Sequence, residues 1–251
     1  MEVHHHSHHP KKWKEYVAEF IMLFAAVTLG FFAENQREHY VERQRGIQFM
    51  ESYMEDLAKD KIEMSAAIKY ETTRISNMDT AISLLSKGEW TPANITTMYR
   101  VSLKTGGNRP ITFIDKTSSQ LKSGGMRLIY DKEVSNLITE YWQLIMQLNE
   151  YENVQINGYK TNVKNMTYKI IDGTNYIDAK NKVIKEGAVL MTYDPAFLKE
   201  YNNRLINMRW DIKNVVIDYF YYNLEKKIDE LQKSIALKYK INPVKNSLGS
   251  N

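Results

Sequence analysis

A long apolar segment near the N-terminus constrains the fold of this chain more than any other feature of its sequence. Residues 16–33 read YVAEFIMLFAAVTLGFFA and include one charged side chain, Glu19. As a helix this segment spans roughly 27 Å, close to the thickness of the hydrocarbon core of a bilayer. Trp13 and Tyr16 stand at one end, where aromatic rings favour the membrane interface. We therefore predict a transmembrane helix over residues 16–34.

A soluble core helix and a cleaved signal peptide both fit this segment less well. A core helix of a soluble protein carries its apolar side chains on one stripe, whereas here they occupy every face. A cleaved signal peptide ends on small residues, whereas this segment ends on Phe32, Ala33 and Glu34. We expect an anchor that is retained.

The charges on either side of the anchor bear on its orientation. Positive residues are equally numerous on the two sides, with Lys11, Lys12 and Lys14 before the segment and Arg37, Arg43 and Arg45 after it. The positive-inside rule therefore does not decide. The arginines alternate with glutamates, and the lysines do not. We expect the short His- and Lys-rich tail, residues 1–15, to stay in the cytoplasm while the rest of the chain is exported.

The sequence after the anchor predicts a helix that continues far beyond the membrane. Between Gln36 and Leu85 there is no proline and one glycine, Gly46. Apolar residues recur at alternating spacings of three and four, at Ile47, Met50, Met54, Leu57, Met64, Ile68, Ile75, Met78, Ile82 and Leu85. Only Lys61 and Glu71 break this heptad register, which predicts packing against neighbouring helices. Gly88 is expected to end the helix in the left-handed conformation.

Capping residues mark the later helices. Thr91, Asp115, Asp131 and Asp194 each precede a helical pattern, and the predictions are a short helix over 92–103, a second short helix ending at Gly124, and two long helices. The first of these long helices changes phase near Gly158. We predict that the last long helix faces the core with Leu198, Tyr201, Leu205, Met208, Ile212, Val215, Tyr219 and Tyr222.

The predicted fold class is all-α, with the N-terminal transmembrane helix continuing into an elongated antiparallel helical bundle. The soluble domain is placed at residues 35–241, and a polar, flexible tail at 242–251. A short strand is expected at Val189–Met191, within the least regular stretch of the sequence.

No residue pattern predicts catalysis or a cofactor. The chain has no cysteine, its net charge is +4, and positive and negative residues are interleaved, so neither thiolate chemistry nor nucleic-acid binding is expected. Five histidines near the N-terminus, His4, His5, His6, His8 and His9, either bind a metal weakly or form a solvated tail. Outside this tail the only histidine is His39. Glu51, Glu55 and Asp56 are interpreted as a solvated acidic surface.

Two features of the sequence indicate contacts with other proteins. Ala26 and Gly30 are four residues apart on one face of the anchor, where small side chains let another membrane helix approach. Some aromatic residues are too numerous for one helix face, namely Tyr141, Trp142, Tyr219, Phe220, Tyr221 and Tyr222. They form either an interaction surface or a broad core with tyrosine hydroxyls at its rim.

Two stretches of the sequence resemble a family of bacterial single-pass envelope proteins, a domain of unknown function. They are KKWKEYVAEFIMLFAAVTLGFFAENQREHYVERQR, at the anchor, and SSQLKSGGMRLIYDKEVSNLITEYW, which lies further along. The resemblance implies a membrane-anchored helical protein. With the orientation expected from the anchor itself, we predict a single-pass protein of the bacterial inner membrane with its C-terminal domain in the periplasm. The resemblance implies no activity.

These observations predict a membrane-anchored structural or accessory subunit, not an enzyme, that docks on a larger bacterial envelope complex. The expected partners are the lipid bilayer and either other membrane or envelope proteins or further copies of this chain. The alternative is an exported, sensor-like bundle that binds a ligand and signals through a partner.

Overall fold

The computed structural model describes residues 12–107, 109, 111–178 and 183–242, and these are almost entirely helical. The α-helices are α1 (Trp13–Lys87), α2 (Pro92–Thr105), α3 (Lys116–Lys122), α4 (Lys132–Tyr151), α5 (Asn157–Ile170), α6 (Pro195–Trp210) and α7 (Tyr222–Tyr239). The predicted all-α fold class is therefore confirmed. The chain divides into two compact units, and the boundary between them lies between Phe49 and Met50.

Shorter elements complete the fold. Two π-helical segments, Glu152–Ile156 and Asp211–Tyr221, join α4 to α5 and α6 to α7. An antiparallel hairpin pairs β1 (Tyr176–Asp178) with β2 (Val183–Ile184). Turns of 3₁₀ helix occupy Gly125–Leu128 and Gly173–Asn175. The predicted tails lie largely outside the described residues.

The first unit contains the apolar part of α1. This helix is long and apolar enough, by its length and composition, to cross a membrane, and none of that stretch is buried by the residues that the structure describes. Ala26 and Gly30 are both exposed in it. The helix then continues without a break to Lys87, as predicted. The second unit begins at Met50, and no side chain over 35–45 is buried.

Three long helices build the second unit: residues 50–87 of α1, residues 132–170 from α4 to α5, and residues 195–239 from α6 to α7. We call them the first, second and third long helix. Lys61 contacts Asp229, and Ser86 contacts Asn202, so the third long helix runs antiparallel to the first.

The first and second long helices run parallel, because the segment between α2 and α4 runs back along the first. We call it the return segment. Going forward along this segment, Arg109 binds Glu63, the Ile114 N–H binds Asp60, and the Thr117 N–H binds Asp56. The second long helix therefore starts again beside the beginning of the first. The third long helix is antiparallel to both.

The predicted stripe of the first long helix faces the core. Met50, Met54, Leu57, Met64, Ile75 and Met78 are buried, and the other apolar members of the heptad pattern are at least partly covered. Of the two residues that break the pattern, Lys61 reaches solvent and forms an ion pair with Asp229, whereas Glu71 is buried.

The prediction of which residues of the third long helix face the core is wrong for the second half of that stripe. Leu198 to Ile212 are inward as expected, but Tyr219 and Tyr222 are exposed. The π-helical segment winds an extra residue into the helix, because its hydrogen bonds join residues five apart. The inward positions are consequently Ile212, Val216, Phe220, Leu224 and Ile228.

Three of the four predicted helix caps are present. The side chains of Thr91, Asp131 and Asp194 accept hydrogen bonds from backbone N–H groups in the first turns of α2, α4 and α6. The prediction for Asp115 is wrong, because its side chain makes no such bond at α3. The Asp56 carboxylate accepts the Thr117 N–H there instead, at 3.1 Å.

The irregular stretch after α5 is tied to α2 by one tyrosine. The Tyr99 hydroxyl, completely buried, donates to the Val189 carbonyl at 2.7 Å and accepts from the Asn175 amide at 2.8 Å. The strand predicted at Val189–Met191 is not formed. The backbone of residues 189–191 is instead held by the Tyr99 hydroxyl and by the Ile170 carbonyl, which accepts the Met191 N–H.

Two glycines with open surroundings should respond oppositely to alanine. Gly88 has φ of +66° and Gly158 lies in α5, and an added Cβ would meet no atom within 4 Å at either position. We expect Gly88→Ala to lower the free energy of unfolding by about 1 kcal/mol, because the left-handed conformation disfavours a Cβ. Gly158→Ala should raise it by about 0.5–1 kcal/mol. Urea unfolding of the full chain in detergent, followed by circular dichroism, measures both. Equal effects would contradict the assigned conformations.

Candidate functional site

Two clusters of buried polar side chains connect the long helices, and the first is acidic. Asp56 and Asp60, in consecutive turns of the first long helix, are 4% and 2% exposed. Asp60 accepts the Ile114 N–H at 2.6 Å and the Tyr141 hydroxyl at 2.9 Å, while Asp56 accepts the Thr117 N–H. Each carboxylate therefore fastens the return segment, and Asp60 also fastens the second long helix.

Burial changes the acidity of this cluster. Burial, together with the neighbouring Asp56 charge and against the opposing effect of the bonds from Ile114 and Tyr141, raises the pKa of Asp60 to about 6. Adjacent carboxylates can share a proton and perform acid–base chemistry. Here both oxygens of Asp60 already hold protein groups, so the geometry favours a structural connection.

The second cluster is charged and lies between all three long helices. It consists of Glu71 and Arg74 from the first, Glu152 and Lys160 from the second, and Tyr221 from the third. Arg74 donates from Nη1 to Glu71 at 3.1 Å, and the Tyr221 hydroxyl lies 3.4 Å from a Glu152 oxygen. We refer to these five residues as the charged cluster.

Burial shifts the ionisation of every carboxylate and base in the charged cluster. It raises the pKa of Glu71 and Glu152, and it lowers the pKa of Arg74 and Lys160. The mutual attraction of acids and bases partly opposes these shifts. Glu71 and Arg74 are buried, whereas Glu152 and Lys160 are partly exposed. The two acids balance the two bases in formal charge, which makes this arrangement tolerable.

The charged cluster lies where both helices are π-helical. Glu152 is the first residue of one π-helical segment, and Tyr221 is the last residue of the other. Asp211, which begins the second segment, is buried, and burial together with the nearby Asp211 carboxylate raises the pKa of Tyr151 and Tyr159 on the second long helix. The Tyr221 hydroxyl and Glu152 join the two segments to each other. π-helical insertions occur frequently at functional sites.

The six predicted interface aromatics fall into different environments. Tyr141, Phe220 and Tyr221 are buried in the core and are not available to a partner, which corrects the prediction for them. Trp142 is partly covered. Tyr219 and Tyr222 are 50% and 64% exposed. The structure adds Trp210, exposed on the same helix, which sequence reasoning missed.

The interpretation of the acidic residues also changes. Glu51 and Glu55 are exposed, but Asp56 is buried, so it does not belong to a solvated surface. Glu71 was the one available signal for the charged cluster, since a charge at an inward heptad position demands a buried partner. Arg74 and Glu152 carried no such signal, because their positions depend on how the helices pack.

Metal binding finds no support within the described parts of the chain, where no three potential ligands come together. His39 is exposed on α1. The five N-terminal histidines lie outside the described residues.

Comparison with known proteins does not identify this chain: no protein-family model, no curated protein and no solved structure matches it. The resemblance of its sequence to single-pass envelope proteins therefore stays a prediction.

Replacing Asp60 by asparagine should reduce the pH dependence of stability. The folded protein holds the Asp60 proton more tightly than the unfolded chain does. The free energy of unfolding therefore falls as the pH rises from 3.8, the ordinary pKa, to about 6. Asparagine can still accept the Ile114 N–H and can donate to the Tyr141 oxygen. We expect Asp60→Asn to flatten this part of the profile and to stabilise the protein at pH 7 by about 1–2 kcal/mol.

Urea unfolding of the full chain at a series of pH values checks this prediction. Glu55→Gln, which changes an exposed acid of the same helix, is the control and should leave the profile as it is. An Asp60→Asn profile as steep as that of the original chain would show that another group causes the pH dependence.

Proposed function

We propose that this chain is a membrane-anchored structural or accessory subunit that docks on a larger complex of the bacterial envelope. The observation that carries the proposal is the apolar stretch of α1, whose side chains are not buried by any other described part of the chain. Phe20, Leu23, Phe24 and Leu29 are each more than 60% exposed. Such a surface is stable in lipid and unstable in water.

Exposed aromatic residues on the second unit support a docking role. Trp210, Tyr219 and Tyr222 present large apolar surfaces on the third long helix. Tryptophan and tyrosine are enriched among the residues that dominate binding energy at protein interfaces. In the anchor, Ala26 and Gly30 offer the close approach that a second membrane helix requires. The proposal assigns no enzymatic step to the protein.

A second candidate function is that of a sensor-like bundle that binds a ligand and signals through a partner. The charged cluster favours it, because ionisable side chains from all three long helices meet inside the bundle. A change in charge there would alter the electrostatic interactions of side chains on all three long helices. Protein packing alone does not require such a group of charges, since apolar residues of similar volume are often at least as stabilising.

The orientation of the anchor gives a first test. We expect the second unit to lie on the periplasmic side, because the short lysine-bearing tail is the segment that stays in the cytoplasm. Protease added to spheroplasts should then digest the second unit while a cytoplasmic marker survives. Protection of the second unit until the membrane is permeabilised would reverse the orientation.

The docking role is tested by co-purification of the full chain in mild detergent, with crosslinking in the membrane beforehand. Gly30→Leu adds bulk to the small face of the anchor and keeps it apolar. We expect the amount of crosslinked partner, or of crosslinked second copy, to fall about tenfold. A tenfold loss corresponds to ~1.4 kcal/mol of binding free energy. Ala25→Leu, which adds bulk on a different face, should change little.

The exposed aromatics are tested in the same experiment. Tyr222→Ser removes an exposed ring without disturbing the core and should weaken capture of the partner. Met146→Ser, which removes an exposed apolar side chain from the second long helix, is its control. If neither Gly30→Leu nor Tyr222→Ser changes the captured proteins, neither surface is an interface and the proposed docking fails.

A further inference from the structure

The exposed side of the second long helix is almost free of charge over residues 143–162. Among the exposed residues of this range, Glu150 is the one that carries a charge. Met146 and Val154 are apolar and are 65% and 71% exposed. Six exposed side chains are carboxamides, namely Gln143, Gln147, Asn149, Asn153, Gln155 and Asn162. We call the exposed residues between positions 143 and 162 the amide face.

The other exposed surfaces of the bundle do not share this composition. On the third long helix, Lys199, Lys213, Asp218, Lys226 and Lys233 are all exposed. A helix face that meets only water ordinarily carries such charged side chains. The centre of a protein interface is instead depleted of charge and enriched in methionine. The amide face therefore has the composition of an interface and not that of a solvated surface.

Gly158 gives the amide face a point of close approach. It lies inside α5, where its φ is not positive and where an added Cβ would meet no atom within 4 Å. A glycine inside a helix costs about 0.5–1 kcal/mol relative to alanine, and neither its backbone conformation nor a described neighbour requires it. The backbone of a second helix can approach closely there. Between Gln143 and Glu150 the same face has an open depression, which gives room to a side chain from outside.

We propose that the amide face is the interface between two copies of this chain. A carboxamide both donates and accepts hydrogen bonds, so a surface of carboxamides is complementary to a copy of itself. In a two-fold dimer both copies use the same surface, and a charged side chain near the axis would meet its own copy and be repelled. The amide face largely avoids this repulsion, whereas the exposed side of the third long helix, with Lys226 and Lys233, would not. The inference rests on the proposed function, because it names a second copy as one partner of the anchored subunit.

Self-association of the purified full chain in detergent tests this proposal, with analytical ultracentrifugation over a range of concentrations as the measurement. Gly158→Leu adds bulk where no other atom lies within 4 Å, so the fold should be retained while the Kd of the dimer rises about tenfold. Ser65→Leu makes a similar addition at an exposed position of the first long helix and should leave the Kd unchanged. Glu150→Gln removes a repelling charge and should lower the Kd about twofold. A chain that stays monomeric, or a Gly158→Leu variant that dimerises as tightly as the original chain, would overturn the proposal.

Crosslinking through single cysteines gives a second measurement that needs no bulky variant. The chain contains no cysteine, so each introduced one reports on a single position. At least one of Gln143→Cys, Gln147→Cys and Thr161→Cys should yield a disulfide-linked dimer on mild oxidation in the membrane. Lys226→Cys, which is exposed on the third long helix, should not. Crosslinking at none of the three positions, or equally at Lys226→Cys, would show that the amide face is not the interface.

The outcome for the dimer is distinguishable from the outcome for docking on a complex. Met146→Ser, the control for capture of other proteins, removes an apolar side chain from the amide face. It should weaken the dimer and leave that capture unchanged. A dimer that forms although no other protein is captured would end the docking proposal alone. A monomer that still captures other proteins would end the dimer proposal alone.

Discussion

The side chains that the third long helix presents to the core depend on its π-helical segment. In an uninterrupted α-helix the apolar positions after Ile212 would continue through Val215 and Tyr219. The wider turns of Asp211–Tyr221 instead bring Phe220 and Tyr221 inside. The Tyr221 hydroxyl can then reach Glu152 on the second long helix, so Tyr221 belongs to the charged cluster because the helix is wound in this way.

The buried polar groups fix how the long helices align. Apolar faces alone allow two helices to slide by a turn with little loss of contact area, whereas a buried carboxylate must meet its donors. Asp60 meets a backbone N–H of the return segment and the Tyr141 hydroxyl at the same time. A displaced helix would leave that carboxylate buried and unpaired, at a cost of several kcal/mol. The Asp60 side chain therefore fixes the positions of the first long helix, the return segment and the second long helix relative to one another.

The two units of the chain satisfy opposite rules of burial. In the second unit the methionines and leucines of the first long helix are buried, and its exposed faces are largely polar. In the first unit, phenylalanines and leucines are exposed on all sides of α1. One helix carries both patterns without a break. A surface of this kind is stable in lipid and unstable in water, which is why we propose anchoring for this chain.

Features that depend on local chemistry can be predicted from neighbouring residues along the chain. The apolar run, the heptad spacing, the caps at Thr91, Asp131 and Asp194, and the ending at Gly88 each follow from neighbouring residues, and all are present in the structure. Even the phase change near Gly158 was visible as a break in periodicity. It corresponds to the π-helical segment at Glu152–Ile156.

Which polar residues are buried depends on how the helices pack against one another. Asp56 looked like part of a solvated surface, and Arg74 like an ordinary surface arginine, because a charged side chain is identified as buried only when its partners are known. Those partners, Thr117 and Glu71, come from the return segment and from a broken heptad position. The inward turn of Tyr221 was equally hidden, since a π-helical insertion is set by the packing of neighbouring helices and not by the residues it contains.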